Sequence, residues 1–266
     1  MWCQSASLCS TILTSRARWA KSAASKEGAM RWAMVQICFR SLEGSEYCNM
    51  ALSTVREAGV NSEGDFQVIG LTGGMGAGKS VVARILNGLG HFVYDADAAA
   101  KRLYNSDAGL LEAVVGRFGQ AVLDGSGMLN RGHLAQMVFS DANALAALNA
   151  MVHPVVARDF ALWRNGHRRD GVPFVFREAA ILFESGSYKD CDLVWGVQSP
   201  VALRLHRVRS RTGWSEDEIF QRMSRQWPEE RVLERCDAVV LNDGSAPLVP
   251  QVLGLLSALN ANLHSS

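Results

Sequence analysis

Phe66-Gln67-Val68-Ile69-Gly70-Leu71-Thr72-Gly73-Gly74-Met75-Gly76-Ala77-Gly78-Lys79-Ser80 changes character partway along, and the two changes together imply a strand, a turn and a helix. The run from Phe66 to Leu71 is short and apolar and gives way to glycines, which predicts a buried first strand. From Ser80 to Leu89 the apolar side chains Val81, Val82, Ile85, Leu86 and Leu89 have the spacing of a helix with one buried face. Between them, Gly73 to Ser80 matches G-x-x-x-x-G-K-[ST] at every position. Glycines there let the backbone take positive φ and turn successive N–H groups toward an anion, while the helix N-terminus adds a favourable partial charge. An accidental glycine-rich turn is the competing reading, but it accounts for neither the strand before nor the helix after. Lys is scarce and Arg carries most of the basic charge, yet a Lys fills the one slot that calls for a compact ammonium. Gly74, Met75, Gly76, Ala77, Gly78, Lys79, Ser80 and Val81 are therefore the candidate nucleotide-phosphate site. Lys79 is read as reaching the β and γ phosphates, and the Ser80 hydroxyl as holding Mg²⁺.

Downstream, His91 to Tyr94 reads as a second strand stopping at Asp95-Ala96-Asp97. Strand, helix and strand in so short a span imply a parallel pair with a right-handed crossover. From Ala98 to about Asp170 the chain is mostly helical, with turn chemistry at Asp124-Gly125-Ser126-Gly127 and a helix start expected near Pro154, where a missing N–H costs nothing. Val172–Phe176, Asp192–Val197 and Ala238–Leu241 are the remaining predicted strands, and an Arg-rich helical region, 201–235, lies between the last two. The alternation predicts an α/β fold.

At 266 residues, 48% apolar and 20% charged, the chain can bury one sizeable core, and a net charge of +1 gives no bulk electrostatic reason to bind nucleic acid or an anionic membrane. Every apolar stretch is interrupted before the roughly 18 residues a bilayer span needs, so a membrane protein is not expected. Residues 1–65 differ in composition: up to Lys26 there is no acid, and Arg16, Arg18, Lys21 and Lys26 stand among many serines. The extension is read as a start codon placed too early, with Met30, Met34 and Met50 as possible initiators, and an organellar transit peptide is the alternative. Four cysteines (Cys3, Cys9, Cys38, Cys48) lie in this extension. Cys191 and Cys236 lack metal-ligand spacing and read as reduced thiols of a cytoplasmic protein.

Asp95 and Asp97 fall at the carboxyl end of the second strand, where open parallel sheets place their ligands. One of these carboxylates can accept the proton of an attacking hydroxyl, and capping the next helix is the alternative use. Arg204, Arg207 and Arg211 are spaced i, i+3, i+7 along one helix, with Arg209 nearby, as guanidinium groups of a mobile lid would be; a solvated basic helix is the competing reading. No N-K-x-D guanine-reading motif is present, which lowers a GTPase reading.

The ordered set Ile69 to Ser80, Asp95-Ala96-Asp97, Leu129-Asn130-Arg131, His153-Pro154-Val155, Leu182-Phe183-Glu184-Ser185-Gly186, Arg207, Arg211 to Gly213, Gln226, Asp237 and Asn242-Asp243-Gly244-Ser245 resembles the dephospho-coenzyme A kinases over nearly all of residues 67–255. The resemblance implies a P-loop nucleotide kinase-like three-layer sandwich with a five-stranded parallel sheet. It divides residues 66–266 into a core, a helical acceptor-binding insertion over 98–170 and a helical lid over 201–227. It implies transfer of the ATP γ-phosphoryl to the ribose 3′-hydroxyl of dephospho-coenzyme A, the last step of coenzyme A biosynthesis, with ATP and Mg²⁺ as cofactors.

The roles implied are Asp97 as general base, Lys79 and Arg211 on the phosphates, Arg207 and Asn242 at the nucleotide, and Thr72, Asp97, Arg131, His153 and Glu184 at the acceptor. Glu178, just past the third strand, is a further candidate for a Mg²⁺-bound water or a merely solvated acid. Two departures stand out: Ala180-Ile181-Leu182 where the family usually has Pro-Leu-Leu, and Thr212 where an acid commonly follows the lid arginine. A related nucleoside-monophosphate or sugar kinase is the alternative enzyme, and a nucleotide-dependent switch ATPase the alternative from another class. The sequence does not fix the oligomeric state, with a monomer favoured.

Overall fold

The computed structural model describes residues 66–139 and 141–263, so the readings of residues 1–65 and of their four cysteines lie outside the described residues. Strands β1 (Gln67–Thr72), β2 (Val93–Asp95), β3 (Phe174–Glu178), β4 (Leu193–Gln198) and β5 (Ala238–Leu241) form one parallel five-stranded sheet in the order β2-β3-β1-β4-β5. β2 runs beside β3 with Tyr94 opposite Arg177 and Asp95 opposite Glu178, and β4 beside β5 with Trp195 opposite Ala238. The central strand β1 is buried from Val68 to Thr72, as a strand covered on both faces must be.

The described chain divides into two compact units. One comprises Leu71–Phe92 and the chain from Leu193; the other comprises Phe66–Gly70 and Val93–Asp192. In the first, helix α1 (Lys79–Gly88) buries Lys79, Val82, Ala83 and Leu86, and the chain from β4 continues through α6 (Val201–Thr212), α7 (Glu216–Met223), α8 (Glu229–Leu233), β5 and α9 (Leu248–Leu263). In the second, α2 (Ala96–Ser106), α3 (Ala108–Phe118), α4 (Arg131–Phe139) and α5 (Ala142–Arg169) surround a core that includes Tyr94, Leu103, Leu110, Val114, Val156 and Phe160.

Strand ends shift by a residue or two from the sequence reading, and hydrogen bonds explain why. Val172 N–H bonds back to His167 O at the end of α5 and Pro173 has no N–H, so β3 begins at Phe174. Asp192 and Asp237 stand just ahead of β4 and β5 as side-chain caps. Asp192 Oδ2 accepts Val68 N–H at 2.7 Å, and Asp237 Oδ2 accepts Val194 N–H at 2.7 Å. The turn at Asp124-Gly125-Ser126-Gly127 forms as expected, with Asp124 Oδ1 accepting Ser126 N–H at 2.9 Å.

The helix start expected near Pro154 is not there. Pro154 lies inside α5, whose true N-cap is Asp141, with its carboxylate accepting the N–H groups of Asn143 and Ala144. His167, Arg168 and Arg169 close the far end, where cations offset the carbonyl dipoles. Thus Asp141 outcompetes Pro154 as the start, and Phe160, Val156, Val152 and Leu148 bury enough surface to carry the helix through an exposed proline.

Below this helix lies a polar seam. Tyr94 Oη donates to Asp159 Oδ2 at 2.7 Å, and Arg102 Nη2 reaches the same oxygen at 2.7 Å. Burial and the adjoining Asp159 carboxylate push the Tyr94 phenol up, so it stays a donor. Arg177, 2% exposed on β3, pairs with Asp190 at 2.8 Å and sits 4.4 Å from the Phe160 ring centroid. Among the described residues no helix is long and apolar enough to cross a membrane.

Two outcomes follow from this architecture. Pro154→Ala restores an N–H to the Ala150 carbonyl and is expected to raise unfolding stability by about 1–3 kcal/mol in urea denaturation. His91 is held neutral by burial, its pKa lowered from 6.5 to about 4. The unfolded chain therefore binds a proton that the native chain refuses over that interval. Stability is full above 6.5 and falls as pH drops toward about 4. His91→Gln should flatten this part of the pH–stability curve, read by thermal melts across the interval.

Candidate active site

The loop from Gly73 to Gly78 joins β1 to α1 and is held from several sides by its own unit. Gly78, at φ 103°, is the N-cap of α1, and a Cβ there would overlap the Asn242 side-chain amide. That amide donates to Ala77 O at 2.7 Å, so Asn242 braces the back of the loop and requires glycine in front of it. Arg207 ties the brace down: its guanidinium donates to Ser199 Oγ at 2.9 Å and to Asn242 O and Oδ1 at 3.2 Å each, with a longer contact to Gly76 O at 3.5 Å.

Lys79 is buried, and its ammonium donates to Gly73 O at 2.9 Å and Gly74 O at 3.3 Å. These carbonyls hold the charge across the loop. In the first turn of α1, the N–H groups of Val81 and Val82 turn back to Gly78 O at 2.9 and 3.2 Å. Ser80 is exposed in the first turn. The loop with Lys79 across it is the candidate anion site. Thr72, buried at the end of β1, leads directly into it.

The acids and the acceptor candidates belong to the other unit. Asp95 caps α2, its Oδ1 accepting Ala98 N–H at 2.8 Å, which settles the capping alternative in favour of a cap for that residue. Asp97 is exposed in the first turn of α2 and is not the cap. Arg131 is exposed at the start of α4, which Asn130 opens by accepting His133 N–H at 3.0 Å. His153 lies within α5; burial, then the positive Arg177, lowers its pKa and keeps the imidazole neutral near pH 7. Glu184 is half-buried in the turns after β3, and Glu178 is the last residue of β3 rather than a residue beyond it.

In α6 the three spaced arginines divide. Arg204 is buried, with Nε donating to Met75 O at 3.0 Å and Nη1 paired to Glu229 at 3.0 Å. Arg207 is half-buried in the brace, while Arg211 is exposed in the last turn and Arg209 reaches Glu216 at 3.4 Å. Thr212, one of the departures from the family pattern, donates to Val208 O at 2.8 Å and accepts Trp214 N–H at 3.3 Å, closing the helix locally.

The sequence reading left Arg204 undecided and gave Gln226 no role, whereas Gln226 Oε1 accepts Met75 N–H at 2.7 Å. Arg204 alternates with Val208 on the buried face of α6, so an arginine at a core-facing helical position was the available signal. Glu229 offered none.

Among the described residues no group of three or more His, Cys, Asp or Glu side chains is disposed to hold a metal ion. Cys191 and Cys236 are free thiols, both pushed up to about 12 by burial, which leaves them poor nucleophiles. Trp163 packs among Tyr94, Phe160 and His167, and Trp214 and Trp227 lie under Arg222 and Arg231. Trp195 is buried in β4. These tryptophans are packing residues.

Comparison with known proteins agrees with this geometry. The family model for dephospho-CoA kinase matches residues 67–247. A dephospho-CoA kinase of Chlorobium chlorochromatii is 37% identical over 182 residues, covering 67% of this chain and 86% of that protein. One from Bacteroides fragilis is 35% identical over 196 residues, covering 74% of this chain and 94% of its own length. Among solved structures, a Thermus thermophilus protein superposes with a TM-score of 0.63 at 36% identity, over 75% of this chain and 99% of that one. The dephospho-CoA kinase from Campylobacter jejuni, at 24% identity, shares the fold with a TM-score of 0.57 over 74% of this chain and 98% of its own. With a matching loop, sheet and family model along most of its length, the chain belongs to the dephospho-CoA kinase family, ATP-dependent transferases that act on an alcohol group.

Proposed function

We propose that the chain transfers the γ-phosphoryl of ATP to the ribose 3′-hydroxyl of dephospho-coenzyme A, giving coenzyme A and ADP. One observation carries the nucleotide half of this reading. The complete phosphate-loop motif stands between β1 and α1, with the Lys79 ammonium held by Gly73 and Gly74 carbonyls across its mouth. Family membership supplies the acceptor.

In this reading the loop amides and Lys79 bind the β and γ phosphates and hold the terminal phosphorus in line with the acceptor oxygen. Asp97, exposed and not committed to capping, takes the proton of the 3′-hydroxyl as the new O–P bond forms and ADP departs. Arg211, exposed at the end of α6, is the lid cation that meets the charge developing on the transferring group, whereas Arg207 and Asn242 act by shaping the loop. Arg131, His153 and Glu184 are assigned to the acceptor, with His153 as a neutral hydrogen-bonding group. The exposed Ser80 hydroxyl is the group that would hold Mg²⁺, which would supply charge neutralisation at the phosphates. Segment 98–170 is taken as the acceptor-binding region and 201–227 as the lid. The reaction is placed in the cytosol, where the free thiols Cys191 and Cys236 stay reduced. The chain is taken to act as a monomer.

Coupled ADP-release assays over a panel of acceptors test the substrate: strong preference for dephospho-coenzyme A is expected, and equal rates with nucleoside monophosphates or sugars would sink the assignment. Asp97→Asn is expected to keep nucleotide affinity while turnover falls by roughly 10² to 10⁴; turnover close to wild type would move the base elsewhere. Lys79→Ala should lose both nucleotide affinity and rate, seen as a raised KM for ATP together with a reduced kcat.

A further inference from the structure

The peptide groups on either side of Met75 are gripped by side chains that lie far along the chain. Its N–H donates to Gln226 Oε1 at 2.7 Å, and its carbonyl accepts Arg204 Nε at 3.0 Å. Arg204 is in turn fixed by Glu229 at 3.0 Å, and both partners of that pair are largely removed from solvent, with side-chain exposures of 8% and 18%. The guanidinium occupies the space where a Cβ of Gly74 would lie, and a Cβ on Gly76 would meet Arg204 backbone at 2.6 Å. The two glycines flanking Met75 are therefore required by Arg204 as well as by loop curvature. Gln226 follows α7 and Glu229 begins α8, so one short stretch of chain supplies both the Met75 N–H acceptor and the anchor of the cation that holds its carbonyl.

We infer that Gln226 is a positioning residue for the phosphate loop. Its carboxamide oxygen, acting with the Arg204–Glu229 pair, clamps Met75 so that the amides after it are aimed before nucleotide arrives. The inference rests on the phosphate-loop reading above but not on the identity of the acceptor. A clamp of this kind acts on nucleotide affinity, since it spares the loop the ordering that binding otherwise requires. It leaves acceptor affinity alone.

The test uses the full chain and three substitutions: Gln226→Ala, which removes the acceptor, Gln226→Asn, which withdraws it by one methylene, and Gln226→Glu, which keeps it. Without nucleotide, amide hydrogen exchange at Met75 should quicken in the Ala and Asn variants and stay slow in the Glu variant. Calorimetric titration with a non-hydrolysable ATP analogue should show affinity about 3- to 10-fold weaker for Ala and Asn, the worth of one net hydrogen bond. Their melting temperatures should stay near wild type, and KM for the acceptor should be unchanged. A purely structural role would lower melting temperature and both affinities together, overturning the inference. Unchanged Met75 exchange in the Ala variant would also overturn it. So would tighter nucleotide binding, because Gln226 would then be competing with a phosphate oxygen for the Met75 N–H. If the wild-type chain binds the analogue but phosphorylates no dephospho-coenzyme A, the acceptor assignment fails while the clamp stands or falls on exchange and affinity alone.

Discussion

A row of backbone N–H groups can bind an anion only if something keeps them pointing outward before the anion comes. Free peptide would turn them toward its own carbonyls or toward water. Here the loop after β1 is kept open by contacts made almost wholly behind it: Asn242 on Ala77 O, Arg207 on Asn242 and Ser199, Arg204 on Met75 O, and Gln226 on Met75 N–H. Each brace needs room that a side chain on the loop would fill. The glycines at 74 and 78 are thus as much a condition for the braces as for the turn itself.

The positive charge around the loop is sorted by burial. Lys79 and Arg204 are both buried and both hydrogen-bonded to loop carbonyls, and Arg204 is also paired with Glu229 at 3.0 Å. A paired guanidinium serves as a strut, since its field is largely cancelled by Glu229. The Lys79 ammonium donates to the carbonyls of Gly73 and Gly74 and is a compact charge of the kind a phosphate group takes. Arg211, one turn beyond Arg207, is exposed in the last turn of this helix.

The second unit manages its buried polar groups differently. Arg177 lies within an apolar environment, offset by Asp190 on one side and the Phe160 ring on another, and its field helps keep His153 neutral. Tyr94, opposite Arg177 in the sheet register, donates its hydroxyl hydrogen bond to Asp159, which also accepts from Arg102. A seam of this kind ties the edge strand to α2 and α5 through directional bonds where apolar packing alone would permit sliding. None of it was visible in periodicity, because a buried Arg and a buried Tyr in adjacent strands look like any polar interruption of an apolar run.

Local chemistry in the sequence determined much of this protein. The strand, glycine loop and helix at 66–89, the turn at Asp124–Gly127, and the presence of five strands are all set by short-range pattern, since backbone freedom and side-chain period act within a few residues. Long-range competition decided the rest. Pro154 carries the local mark of a helix start, yet Asp141 caps the helix and distant apolar contacts hold it through the proline. Arg204, Arg207 and Arg211 are equivalent by spacing, and only the folded chain, by bringing Glu229 and Asn242 to two of them, turns those two into struts and leaves the third at the surface. Spacing along a helix fixes direction but not depth, and depth is what separates a bracing charge from one free to bind.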